Sequence, residues 1–168
     1  DIAERRRAEA ALRASEEKFS ATFEHAPVMI TISTLEDGTY LDVNQKFLEV
    51  SGFTREEVIG HTSIELGWLA AADRRRLLDA LATQGHITGM ELDLITKDRR
   101  VVRCLFNGEY IVVDGRRRLL SIALDISERK RAEETMRLDS LRQQALVRLN
   151  EMSAADEREM IEAALEDA

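Results

Sequence analysis

The 168-residue chain has one cysteine, one proline and one tryptophan, and aromatic residues make up only 5% of it. A lone Cys104 excludes a disulfide framework and a multi-thiolate metal site, and it fits a reducing compartment. No stretch reaches the roughly 18 consecutive apolar residues that a membrane-spanning helix needs. A cytoplasmic location without membrane insertion is the expectation. The chain opens Asp1-Ile2-Ala3-Glu4-Arg5-Arg6-Arg7, with neither an initiator methionine nor a signal-peptide pattern, and reads as part of a longer protein. A basic excess is missing as well. The 24 Lys and Arg face 32 Asp and Glu, a net charge of −8, which argues against a dedicated nucleic-acid binder. Arg74-Arg75-Arg76 and Arg116-Arg117-Arg118 lack interleaved aromatics and read as solvated faces. What is present is enough for a core: 44% of residues are hydrophobic, too many for disorder, and the length suits one domain with flanking structure.

The breakers of regular structure are confined. All eight glycines and Pro27 lie between Pro27 and Gly115. Before them, Ala8, Leu12, Ser15, Phe19 and Phe23 recur every three or four residues, which predicts a helix that Pro27 stops. Val28, Ile30 and Ile32 alternate with Met29, Thr31 and Ser33 as a half-buried strand would, and Thr39 to Val43 reads as a second strand beyond Glu36-Asp37-Gly38. Asn44 is placed to cap a short helix that carries Phe47 and Val50 and ends at Gly52. Thr54-Arg55-Glu56-Glu57 begins another as a partial capping box. A third helix is predicted over Ala70 to Thr83, with Leu77, Leu78 and Leu81 inward. Three strands follow, carrying Met90, Leu92 and Leu94, then Val102, Cys104 and Phe106, then Leu120, Ile122 and Leu124. Lys97-Asp98-Arg99 and Asp114-Gly115-Arg116 mark the turns between them. Two strands, a helical crossover and a three-strand meander make an α+β fold, an antiparallel sheet with helices on one face.

From Ser127 to at least Met152 nothing interrupts a helix, and Leu138, Leu141, Ala145, Leu149 and Met152 recur with a period near 3.5. That period suits a two-chain coiled coil; a helix folded back on its own sheet is the alternative. The two ends of the chain also repeat one another. Asp1-Ile2-Ala3-Glu4-Arg5-Arg6-Arg7-Ala8-Glu9 and Asp125-Ile126-Ser127-Glu128-Arg129-Lys130-Arg131-Ala132-Glu133 agree at seven of nine positions. An offset of 124 residues, about one domain length, suggests tandem units, each ending in this strand-to-helix junction.

Val43-Asn44-Gln45-Lys46-Phe47-Leu48-Glu49-Val50-Ser51-Gly52-Phe53-Thr54-Arg55-Glu56-Glu57-Val58-Ile59-Gly60 resembles the central signature of a PAS domain. Asp125 to Glu133 resembles that family's C-terminal PAC junction, with Ser127 where Thr is usual, and Ile64-Glu65-Leu66-Gly67-Trp68 with Asp73-Arg74 resembles a common bacterial subtype. The resemblance covers about residues 14–133. It implies a PAS fold over residues 15–133, five antiparallel strands with helices on one face and a cavity between, preceded by a linker helix over 1–14 from an earlier unit. It also implies a sensory or dimerising module of a bacterial signalling protein, most often a histidine kinase of a two-component system. Such a cavity would be lined by Ile30, Ile32, Phe47, Val50, Leu66, Trp68, Leu77, Leu81, Leu92, Leu94, Cys104, Phe106, Ile122 and Leu124. Within residues 134–168, a coiled-coil or linker helix, Leu146 to Met152 with Met160 to Leu165 is similar to the opening helix of a GAF domain, and a simple amphipathic helix explains the same residues nearly as well.

No catalytic set stands out. His25, His61 and His86 have no His or Cys partner at ligand spacing, so no metal site is expected. No Walker loop is present, and Glu56-Glu57 reads as a solvated helix face. Flavin-binding relatives carry a reactive Cys before the long helix, where Thr62 to Leu69 has none; haem-binding relatives carry a His on the long helix, where Ala70 to Thr83 has none. Flavin and haem are therefore not expected, and whether a small molecule binds stays open. The expected role is a non-enzymatic relay. Repacking of the sheet would pass through Asp125, Ile126 and Ser127 into the long helix of a homodimer and on to an output domain in the same chain. The expected dimer seam comprises Leu12, Phe19, Phe23, Leu138, Leu141, Ala145 and Leu149. Alternatives are a ligand-free dimerisation spacer and a sensor serving a diguanylate cyclase or phosphodiesterase.

Overall fold

A computed structural model describes the backbone of residues 1–166 and the side chains of residues 1–153. The chain forms two units, Asp1–Ser127 and Glu128–Ala168. The first begins with helix α1, Ile2–Glu24, whose N-terminal amide at Ala3 donates to the Asp1 carboxylate at 3.2 Å. Exposed Arg5–Glu9 and Arg13–Glu17 pairs, one helical turn apart, line its flank. Phe23 is its one buried residue.

Strands β1 (Met29–Thr34) and β2 (Tyr40–Val43) form a hairpin. Helices α2 (Gln45–Ser51), α3 (Arg55–Val58) and α4 (Ala71–Gln84) make the crossover. Strands β3 (His86–Ile95), β4 (Val101–Val113) and β5 (Arg116–Asp125) complete a sheet of order β2-β1-β5-β4-β3, antiparallel throughout. Local chemistry sets the boundaries. Thr54 and Glu57 form a complete capping box at α3, and Gly52 and Gly85 end α2 and α4 in the left-handed conformation that glycine adopts without a Cβ clash. Asp114 and Gly115, at φ +50° and +70°, make the tight turn between β4 and β5.

The core lies between the helices and one face of the sheet. Phe47, Val58, Leu77 and Leu81 from the helices meet Met29, Leu92, Leu94, Val102, Cys104, Phe106, Leu119 and Ala123 from the strands. This arrangement corrects the phase expected for two strands. In β1 the buried residues are Met29, Thr31 and Ser33, and in β5 they are Leu119, Ser121 and Ala123. Ile30 and Ile32 are half-buried on the opposite face, where Ile122 is 37% and Leu124 43% exposed. In both strands the more apolar phase faces away from the helices; at the centre of the inner face, in the cavity that Phe47 and Trp68 also line, stand the small side chains of Thr31, Ser121 and Ala123. Leu78 likewise faces outward on α4.

The second unit is the greater part of helix α5, Ser127–Glu166. Forty residues span about 60 Å at 1.5 Å per residue. Leu138, Leu141, Ala145, Leu149 and Met152 are all exposed along it. The GAF-like residues Met160 to Leu165 lie outside the described side chains.

Candidate functional site: an aromatic cavity between two anchored junctions

Between the inner face of the sheet and the helices is a cavity of about 40 Å³. Its floor is Met29, Thr31, Leu92, Leu94, Phe106, Ser121 and Ala123; its roof is Tyr40, Phe47, Trp68 and Leu69. Thr31 and Ser121 face each other across β1 and β5, so two hydroxyls sit side by side in an otherwise apolar floor. The roof is a chain of rings, with Tyr40 and Phe47 at 5.6 Å and Phe47 and Trp68 nearly edge-on at 5.3 Å. Burial pushes the Tyr40 phenol well above its ordinary pKa, opposed by the Arg74 charge and a hydrogen bond with Ser63, so it stays neutral. The Arg74 guanidinium lies directly over Gly38, where an added Cβ would fall 2.3 Å from Nη2. Burial lowers the Arg74 pKa, while Tyr40 and Asp37 act in the other direction.

The volume decides what can enter. Pockets for drug-sized ligands run to roughly 300–1,000 Å³, whereas this one admits a water or a molecule of two or three heavy atoms. A flavin ring or a porphyrin exceeds that space. Cys104, fully buried on β4, has its thiol pushed up to about 12, mainly by burial and then by Asp125 and Asp93. A nucleophilic thiolate is not formed there at neutral pH. Among the described residues no group of three or more His, Cys, Asp or Glu could hold a metal ion.

Of the residues expected to line the cavity, Phe47, Trp68, Leu92, Leu94 and Phe106 do. Leu77, Leu81 and Cys104 lie in the surrounding core, with Val50 and Leu66 packed on its edge. Ile30, Ile32, Ile122 and Leu124 face the other way. Met29, Thr31, Tyr40, Leu69, Ser121 and Ala123 were not foreseen. The hydroxyls among them alternate correctly with the isoleucines, but a hydropathy pattern ranks them as the outer face.

Both ends of this unit are tied to the cavity walls. At the front, Asn44 is fully buried and makes four hydrogen bonds. Its Oδ1 accepts from Ile30 N at 2.9 Å and Phe47 N at 3.1 Å; its Nδ2 donates to Phe23 O at 3.0 Å and Val28 O at 2.9 Å. One side chain thus joins the end of α1, the start of β1 and the first turn of α2. Arg55 adds a clamp, donating to Asp42 at 2.8 Å and Glu24 at 2.9 Å, while Glu24 accepts from Gln45 N at 3.0 Å. The sequence marked Asn44 only as a cap and gave no sign of the Glu24–Arg55–Asp42 bridge. Phe23, assigned to the dimer seam, is 6% exposed and belongs to this domain's interior; Leu12 and Phe19 remain exposed.

At the back, Asp125, Ile126 and Ser127 lock onto β4. Ile126 is 2% exposed and its N–H donates to Arg103 O at 2.8 Å. Arg103 N donates to Ser127 Oγ at 3.0 Å, and Ser127 N to Asp125 Oδ1 at 2.8 Å. Arg103 is held in turn by a charge pair with Asp93 of β3.

The domain is thus a five-stranded antiparallel sheet carrying helices on one face, with a ring-roofed cavity between them. The family model described as PAS domain matches residues 27–128, and the chain belongs to that family. A methyl sulfide methyltransferase-associated sensor of Methanosarcina acetivorans is 27% identical over 162 residues, covering 94% of this chain and 16% of that protein. The PAS domain of an HTR-like protein from Haloarcula marismortui superposes with a TM-score of 0.62 at 26% identity, over 72% of this chain and 99% of that one. A domain of the sensory box sensor histidine kinase/response regulator from Geobacter sulfurreducens gives 0.54 at 25% identity, over 68% and 96%.

Proposed function

We propose that this PAS module senses a change in packing around the Phe47–Trp68 cavity and relays it through Asp125, Ile126 and Ser127 into α5. From there it acts on an output domain further along the same protein, in histidine-kinase signalling. The observation that carries the reading is the double latch between Arg103 and the Ile126–Ser127 backbone and hydroxyl. Phe106, which lines the cavity, is three residues from Arg103 on the same strand, so displacement of the floor reaches the latch along one β-strand. The kinase assignment is supported by the description of the Geobacter relative, and a sensory role by that of the Methanosarcina one. In this reading two copies pair along Leu138, Leu141, Ala145 and Leu149. A coupling of about 1–3 kcal/mol suffices to bias a downstream domain.

The test is Asp125→Ala in the full-length protein. The stimulus response of its output should be lost while circular dichroism shows an intact fold; an unchanged response rejects the relay. The cavity's small volume favours a second reading, a spacer without ligand. Native mass spectrometry and absorbance of the purified chain separate the two. A bound molecule of a few heavy atoms supports sensing, and an empty colourless protein supports the spacer.

A further inference from the structure

The cavity floor holds two hydroxyls that the fold does not use. Thr31 and Ser121 are each 7% exposed and stand opposite one another on β1 and β5. Among the described residues neither side chain has a hydrogen-bond partner. No side-chain oxygen cut off from all free space lacks a partner, so both of these open onto the cavity that they line. A buried hydroxyl without a partner is destabilising, and valine and alanine would fill the same positions without that cost. Facing residues of an antiparallel pair hold their Cβ atoms about 4.5–5.5 Å apart, so one oxygen between them reaches both hydroxyls. Each hydroxyl both donates and accepts, and the group that complements such a pair is one that also does both, a third hydroxyl. A carboxylate or an ammonium would enter without a counter-charge, since no residue lining the cavity is charged.

Size and wall chemistry fix the rest of the ligand. One water needs about 10–15 Å³ of such a cavity and two to four polar partners. The cavity has about 40 Å³, and one step along the same two strands Met29 stands opposite Ala123, with Leu92, Leu94 and Phe106 completing an apolar floor. The other hydroxyl on the wall, that of Tyr40, is engaged by Ser63. Further waters beyond the hydroxyl pair would have few partners, whereas carbon atoms there gain contacts on every side. We propose that Thr31 and Ser121 anchor a short neutral alcohol of about two carbons, its hydroxyl bridging the pair and its carbons lying against Met29, Leu92, Phe106 and Ala123. This deepens the sensing reading above and rests on its premise that the Phe47–Trp68 cavity is the input site. Binding is measured in the cavity itself, and the relay is judged by the Asp125→Ala response, so either fails without the other.

The experiment titrates the 168-residue chain with ethanol and follows its methyl groups by NMR. The methyls of Met29, Leu92 and Ala123 should shift saturably and show cross-relaxation with the ethanol methyl. The Kd should be on the order of 1 mM or weaker, the limit for a ligand of about three heavy atoms. Acetate, the anionic counterpart, should give no saturable shift. Thr31→Val should weaken ethanol binding about 2- to 10-fold, and Thr31→Ser, which keeps the hydroxyl, should retain it. A double variant, Thr31→Val with Ser121→Ala, should bind xenon more tightly than the unaltered chain, because its floor is apolar throughout; loss of folding cannot produce that gain. Three results overturn the proposal: ethanol shifts that do not saturate or that fall outside the cavity, acetate binding as tight as that of ethanol, and ethanol binding unchanged in the double variant. A bridging water that ethanol does not displace gives the first of these.

Discussion

Asn44 shows how much structure one amide can hold. All four of its hydrogen-bonding positions are used, each on a backbone group. Truncation would leave those groups without their partner inside the protein, so Asn44→Ala should cost about 3 kcal/mol or more, measured by urea denaturation. Cys104 makes the opposite kind of statement. With its thiol at about 12 and its side chain fully buried, it should resist Ellman's reagent at pH 8 in the folded protein and react at once in denaturant. At the surface, Asp37 is held down to about 2, first by the Thr34 hydroxyl and then by the Thr39 amide. Its folded pKa lies below the ordinary 3.8, so its contribution to the β1–β2 turn is complete above that value and fades as pH falls towards 2. An NMR titration should therefore find the amide of Thr39 unchanged from pH 7 to about 4 and shifting below it. Asn44 was legible as a cap because helix starts have a local chemistry. Arg55 was not legible as a clamp, because its partners Glu24 and Asp42 lie 31 and 13 residues away.

Elements were readable where local rules act alone. Gly52 and the Asp114–Gly115 turn stand where sequence places them, because positive φ is demanded by the backbone itself. Nothing lies within 4 Å of a Cβ built on Gly115, so Gly115→Ala should cost only the left-handed strain, about 1–2 kcal/mol in thermal or urea melts. Strand phase was less readable. In β3 and β4 polar residues such as Glu91, Asp93 and Arg103 mark the outer face, and the inner face follows. In β1 and β5 both faces carry apolar residues, and the isoleucines misdirect the assignment. Alternation tells one face from the other only when water is on one side. A consequence is an outer sheet face with Ile30, Ile32, Ile122 and Leu124 at or near the surface.

For the molecule as a whole, the fold was legible because a continuous run, Val43 to Gly60, and the closing Asp125–Glu133 segment carry its signature. The cavity was legible only in part, since its floor is assembled from four strands distant in sequence. The pairing proposed for α5 belongs to this scale. Analytical ultracentrifugation of the 168-residue chain should give a dimer, and Leu141→Asp should shift it to monomer without altering the melting of the sheet; a monomer at all concentrations would remove the shared rod. Trp68 has a bearing on every such experiment. It is the chain's single tryptophan, it is 3% exposed, and it forms part of the cavity roof beside Phe47. Near-ultraviolet excitation of the indole therefore yields light from one known spot. Emission colour and lifetime report on that spot alone, so the molecule carries a built-in optical gauge of whether its cavity is occupied, wetted or collapsed, and no label is needed to read it.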